Sequence, residues 1–358
     1  MEIREQLRGL LGHREKRRDS LPSPRIRQAC GPNVEEIIPG QLVEGEAGTF
    51  FLAEKCYHAG SIYAGIPLSS VLGHSSWSLA QLARDQALEE TDPEAILYLD
   101  TETTGLAGGT GTYVFLVGVG HFVGGDFHLH QFFMPGPQEE EAMLIALEEK
   151  LAYFRAVVSF NGRAFDLPQL QTRFLYARRR PPLEDVAHLD LLFPARRLWR
   201  ECVGSCALGV LEENILGLER SREDVPSWLV PSLYFDYLRT GDARPLQGIF
   251  YHNEQDVLSL VALLARMCRL LEAPPAALAA PGPELYGLAR LYERWSAGGA
   301  GLLITGNVMI DPAHLEGVRN VAVKPESNID RFREWAAAGT THGNQLWMQL
   351  NHPGRQTP

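Results

Sequence analysis

Asp100 and Glu102 stand one residue apart at the end of the apolar run Ala95–Leu99. In a strand, alternate side chains share a face, so the two carboxylates project the same way and Thr101 turns to the other side. Burying two such groups without a partner is costly, so either a cation neutralises them or they are solvated as a turn at the strand's end. Two further acids in fitting settings, Asp166 and Asp256, favour the cation. Four carboxylates offer hard oxygen ligands that suit Mg²⁺ or Mn²⁺, and two such ions roughly 4 Å apart are what two-metal phosphodiester cleavage requires. His252 lies four residues before Asp256, on one face if the segment is helical, whereas Tyr251 lies round the cylinder. Geometry therefore nominates His252 as the general base, with Tyr251 second.

These residues need a sheet and helices to hold them. Residues 95–106 read as a buried central strand, since their apolar run shows no clean alternation. Trp77–Glu90 reads as a helix leading into it. Two strand-like runs follow, flanking the turn set Gly124, Gly125 and Asp126, and complete a three-strand antiparallel meander. Gly108–Gly111 lacks the Lys-Ser/Thr pair of a phosphate loop and reads as a wide hairpin turn. Helical spacing over 139–154, the short strand VVSF, a helix entered between Asn161 and Asp166, the strand HLDLL and a succession of helices come next. For Asn161, capping that helix is the preferred role over orienting a ligand. This order is that of an α/β ribonuclease-H-like fold, a mixed sheet with flanking helices.

The 358-residue chain has the composition of an ordinary soluble protein and a formal charge of −11, which disfavours a general nucleic-acid coat but not an enzyme. Arg173, Arg178, Arg179, Arg180, Arg196, Arg197 and Arg200 crowd one region, as a phosphate track or as ion-paired helix faces. No apolar run reaches a membrane span and the N-terminus is charged, so no membrane partner and a cytoplasmic location are expected. Five cysteines in irregular positions argue against a disulfide framework, and Cys202 and Cys206 read as buried helix residues.

The motifs DTETTGL, FNGRAFD and YHNEQD resemble the three exonuclease motifs of the DEDD superfamily of 3′ to 5′ exonucleases. Their wider context over about residues 40–275, including HLDLLFPARRLWR, is similar to the YprB-like ribonuclease-H-like family. The resemblance implies that Asp100, Glu102, Asp166 and Asp256 are metal ligands, and that Thr103, Gly105 and Leu106 hold the 3′-terminal nucleotide of a single-stranded DNA or RNA. The superfamily's base is a His five residues before the last Asp or a Tyr four before it. Here Tyr251 has the His spacing and His252 the Tyr spacing. The alternative from another class is a binding module that keeps the fold without turnover.

The expected organisation is a basic segment over 1–39, the nuclease domain over 40–274, a Pro and Ala linker over 275–287 and a different segment over 288–358. That last segment, with GGAGLLITGNVMIDPAHLEGVRNVAV and NQLWMQLNHPGRQTP, resembles the early β/α units of the Old Yellow Enzyme family of flavin oxidoreductases. One strand, one helix and a second strand cannot close an eight-unit barrel. An incomplete β/α-barrel fragment, joined near Tyr286–Gly301, is therefore expected. Gln349 and His352 match a region near the flavin, but no functional flavin site is expected.

Overall fold

The computed structural model describes residues 31–45, 47–105, 111–272, 292–310, 321–323 and 329–352. Leu106, the linker 275–287 and most of the basic segment 1–39 lie outside these residues.

Seven strands form one sheet. They are β1 (Gln41–Gly45), β2 (Gly48–Tyr57), β5 (Ile96–Thr103), β6 (Val114–Val123), β7 (Asp126–Phe133), β8 (Ala156–Ser159) and β9 (Ala187–Asp190), in the spatial order β1-β2-β7-β6-β5-β8-β9. A two-residue pair, β3 (Ile62–Tyr63) with β4 (Ile66–Pro67), sits apart from them. β5, β6 and β7 form the expected antiparallel meander, and β8 and β9 extend it in parallel on the other side of β5. The mixed sheet is thus the ribonuclease-H-like arrangement. The runs after Gly40 supply the outer strands of this sheet: β2 pairs with β7 and β1 with β2.

Both faces are covered, which is why β5 shows no alternation. Leu97 and Leu99 face a core shared with the helices Glu140–Leu151 and Asp166–Tyr176. Ile96 and Tyr98 face a second core built on the long helix Leu246–Glu272 and on Leu192–Val203. Each fully buried Leu, Ile or Phe contributes about 1.5–3 kcal/mol. Glycine admits the long helix at Gly120, where a Cβ would meet Val257 at 2.8 Å and the Phe127 ring at 2.3 Å.

Three expected elements differ. The helix expected over Trp77–Glu90 ends at Ala83, because Arg84 adopts a left-handed φ of 57° and Asp85 caps a separate 3₁₀ turn at Gln86–Glu90. The segment around VLEENIL divides into Leu208–Leu211 and a π turn at Glu212–Leu216, closed by Gly217. Cys206 is buried as expected, but between helices rather than within one.

The C-terminal residues build a separate three-stranded sheet, with β10 (Leu302–Met309) between β11 (Val321–Ala322) and β12 (Gln345–Asn351), parallel throughout. The helix Ile329–Gly339 lies between the last two strands in sequence, as the strand, helix, strand reading anticipates. Its core is small, centred on Tyr292, Val308 and Trp335. Ile304, Trp347 and Leu350 remain exposed.

Candidate active site

Alternation along β5 sends Asp100 and Glu102 to the face of the long helix and Thr101 to the opposite face. Glu102 is buried and a register irregularity follows it, ending the regular pairing with β6 where the acids emerge. The Thr101 hydroxyl donates to Asp166 Oδ1 at 2.5 Å, so the residue between the two acids ties in a third.

Asp166 opens its helix after a tight turn at the end of β8. Asn161 takes a left-handed φ of 62° in that turn. At Gly162 a Cβ would lie 2.2 Å from Ser159 Oγ and 3.3 Å from Asp166 Oδ2, so only glycine fits. Asp190, at the end of β9, accepts backbone N–H bonds from Asn161 at 2.7 Å and from Arg163 and Leu192 at 3.1 Å. The expected capping role of Asn161 is not what the turn shows: the N-cap is Phe165, without a side-chain cap bond. Asn161 instead supplies the bend, and Asp190 holds it.

The long helix brings Asp256, His252 and Asn253. Asn253 is fully buried; its Nδ2 donates to Asp100 Oδ2 at 2.8 Å, and its Oδ1 accepts from Gln131 Nε2 at 2.9 Å. It fits only because Gly118 stands opposite Asp100, where a Cβ would lie 2.4 Å from Asn253 Oδ1. His252 Nδ1 lies 2.7 Å from Asp224 Oδ1, its Nε2 lies 3.0 Å from Ser227 Oγ, and Nε2 is 3.8 Å from Asp256 Oδ2. Tyr251, among the described residues, makes no hydrogen bond to any of the four acids, and its electrostatic neighbour is Tyr57.

Arg220 completes the cluster. It donates to both oxygens of the buried Glu212, at 2.7 Å from Nε and 2.6 Å from Nη2, reaches Asp224 at 3.4 Å, and forms a short ion pair with Asp256. Burial, together with the charges of Asp256, Glu102 and Asp166, raises the Asp100 carboxyl well above its usual range. Burial also lifts Glu102 to about 8 against the opposing pull of His252 and Arg220. Asp166 is raised to about 6 by burial, with the Thr101 bond working against the rise. Burial pulls His252 down, but the Asp224 bond and the charges of Asp256 and Glu102 outweigh it and bring the imidazole to about 9. Groups arranged this way hold a shared negative field that a cation relieves.

The hard oxygen donors and raised carboxyls fit divalent cations of the Mg²⁺ class. Among the described residues, no three of the four acids draw one ligand atom each within 4.8 Å of one another.

Of the residues expected to hold a nucleotide, the buried Thr103 donates from its hydroxyl to the Gly105 carbonyl at 3.0 Å, just past Glu102 in the chain. Leu106 is outside the described residues. At least three of the seven arginines are ion-paired: Arg173 makes a buried bidentate pair with Glu140, Arg179 pairs with Glu148, and Arg180 with Asp185, while Arg197 donates to the Leu82 carbonyl. Sequence reasoning missed Arg220, Asp224 and Asn253. The dense charge of the run ERSRED was the available signal for the first two, whereas Asn253 carries none beyond its place inside YHNEQD.

Among the described residues, no helix is long and apolar enough to cross a membrane. The RNase_H superfamily family RNase_H_2 matches residues 97–268. An uncharacterised protein, YprB of Bacillus subtilis, is 34% identical over 213 residues, covering 59% of this chain and 51% of YprB. The chain thus spans about half the length of that relative. An NADH-dependent flavin oxidoreductase, nadA of Aspergillus parasiticus, is 40% identical over 98 residues, covering 26% of this chain and 21% of that protein. The family B DNA polymerase of Pyrobaculum calidifontis overlays with a TM-score of 0.38 at 13% identity, over 56% of this chain and 28% of that one. Residues 97–268 thus match the ribonuclease-H superfamily, and they supply the strands from β5 to β9 of a sheet with that fold.

Proposed function

We propose that this chain is a metal-dependent 3′ to 5′ exonuclease that hydrolyses phosphodiester bonds at the ends of single-stranded DNA or RNA, with Asp100, Glu102, Asp166 and Asp256 holding two Mg²⁺ or Mn²⁺ ions. The observation that carries the reading is the gathering of these four acids, three of them on β5 and the long helix, where each raises the proton affinity of another. When bound, the ions supply Lewis acidity and charge neutralisation at the phosphate.

The protein's own groups do the rest. Asn253 and Gln131 fix the Asp100 carboxylate, and Thr101 fixes that of Asp166. His252 takes the proton of the attacking water at Nε2, while Asp224 at Nδ1 orients the ring; Tyr251 is second for this role. Thr103 and Gly105, with Asn161, hold the terminal nucleotide. No role is assigned to flavin.

A second reading, a nucleic-acid-binding module without turnover, draws on one specific observation. Arg220 already pairs with Asp256 and neutralises it. Degradation of end-labelled single-stranded DNA and RNA with Mg²⁺ or Mn²⁺ separates the two. The exonuclease reading expects ladders shortening from the 3′ end and a loss of more than about 10²-fold in Asp100→Asn, beyond the 10–100-fold typical of outer residues. Intact substrates bound with unchanged affinity in both proteins would favour the binding module.

A further inference from the structure

Outside the acidic cluster, four side chains of a different chemistry meet where β2 leaves the sheet and β7 enters it. Cys56 and His58 are two residues apart, as are Asp126 and His128, so each pair shares a face of its strand. Cys56 is directly opposite His128 in the β2–β7 register. The intervening Tyr57 and Phe127 are also opposite one another and turn to the other face, where Phe127 is buried. The same register continued by one residue sets His58 against Asp126. Four ligand-bearing side chains thus stand as a two-by-two patch on neighbouring strands.

The distances suit one small ion. Cys56 Sγ is 4.0 Å from Asp126 Oδ2 and 4.0 Å from His128 Nε2, and His58 Nδ1 is 3.3 Å from Asp126 Oδ2. Among the described residues, Cys56, His58 and Asp126 are the group whose ligand atoms all fall within 4.8 Å of one another; His128 stands outside that group, next to Cys56, and has to turn inward to serve as the fourth ligand. Tetrahedral Zn²⁺, with bonds of about 2.3 Å to sulfur and about 2.0–2.1 Å to nitrogen, sets neighbouring ligand atoms about 3.5 Å apart. The histidine–aspartate pair is already there, and the two sulfur distances need to close by about half an ångström, within the reach of exposed side chains.

The surroundings prepare the site. Asp126 Oδ1 accepts the Ala59 N–H at 2.8 Å, and the Ala59 carbonyl in turn accepts the Ser69 hydroxyl at 2.7 Å, so Oδ2 is the oxygen left for a ligand. Such an outer bond fixes a ligand's orientation. Cys56 and His58 are exposed, so an ion has direct access.

We propose that Cys56, His58, Asp126 and His128 form a second, independent metal site for a borderline-soft divalent cation, Zn²⁺ in class, that clamps the end of β2 to the start of β7. Thiolate and imidazole select such an ion over Mg²⁺, the reverse of the preference of the four acids. On binding, the Cys56 thiol releases its proton to solvent and the sulfur ligates as thiolate. The site does not depend on the nuclease reading.

The test uses the full chain, stripped of metal with a chelator and titrated with Co²⁺ as a coloured probe and then with Zn²⁺. The expected result is a sulfur-to-cobalt charge-transfer band that saturates at one equivalent and is displaced by Zn²⁺, with a thermal midpoint raised by Zn²⁺. Cys56→Ser should lose the band and the thermal shift, and Asp126→Asn should bind Co²⁺ at least tenfold more weakly. Asp100→Asn should keep the band, since it touches only the hard-ligand cluster. Unchanged urea midpoints in the metal-free variants would verify folding at these exposed positions. Absence of the band in the parent protein, or a band that survives Cys56→Ser, overturns the proposal.

Discussion

Two clusters of titratable side chains sit toward opposite ends of one sheet, and they differ in almost every respect. The carboxylates of Asp100, Glu102, Asp166 and Asp256 are withdrawn between the sheet and the helices, and their charges meet Arg220 and His252. The corner of Cys56, His58 and Asp126 is largely open to water, next to a histidine patch of His121, His128 and His130. Burial makes charge expensive and therefore calls for counter-ions. Exposure leaves the ligands free and makes selectivity depend on their softness.

The largest expected effect lies in the packing that serves the buried cluster alone. Gly118→Ala would place a Cβ 2.4 Å from Asn253 Oδ1, and Asn253 is fully buried. Overpacking of this kind costs about 1–3 kcal/mol. Urea unfolding should show that loss as a shifted midpoint. In an Asn253→Ala background the same Gly118→Ala change should cost much less, because the clash is gone. A loss that is the same in both backgrounds would detach Gly118 from the site.

The two regions should also titrate in opposite senses. Burial and then the Lys150 charge hold His121 at about 3 and His130 at about 4 when folded, against 6.5 unfolded. The unfolded chain therefore takes up protons first, and stability present above pH 6.5 is lost as pH falls toward these values. Glu102 runs the other way: its folded value of about 8 lies above the unfolded 4.5, so stability present below pH 4.5 is lost as pH rises through 8. Metal-free protein should be most stable between these arms. Added Mg²⁺ should lift only the alkaline arm, and His121→Gln only the acid arm, in urea midpoints measured across pH. Mg²⁺ acting on both arms would erase the contrast.

The smallest effect belongs to the ion pair that joins the strand of one cluster to the helix of the other. Lys55 Nζ is 2.6 Å from Glu254 Oε1, with Lys55 55% exposed. Exposed pairs are typically worth about 0.2–1 kcal/mol, so Lys55→Ala should shift the urea midpoint by no more than that. A larger loss would mean that the two regions are coupled through this contact.

Much of the domain was legible in the residues themselves. The unalternating run before Asp100 foretold a strand covered on both faces, and the turn set at Gly124–Asp126 foretold the β6–β7 hairpin, because both signals are local. The spacing of four between His252 and Asp256 likewise settled that they share a helix face, now 3.8 Å apart. The outer strands β1 and β2 were not placed by such signals, since which edge a hairpin joins depends on partners far along the chain.

What the sequence by itself determined was therefore the local alphabet: which segments are strands or helices, and which acids could serve a metal. Only the tertiary structure decided what stands beside those acids. Arg220 reaches Asp256 from 36 residues away, and Asn253 reaches Asp100 across 153 residues. It also decided that a Cys-x-His at the end of one strand faces an Asp-x-His at the start of another. Spacing encodes contacts within a helix or strand, where the backbone repeats. Contacts between elements arise from register and packing of the whole fold, which no short stretch of residues contains.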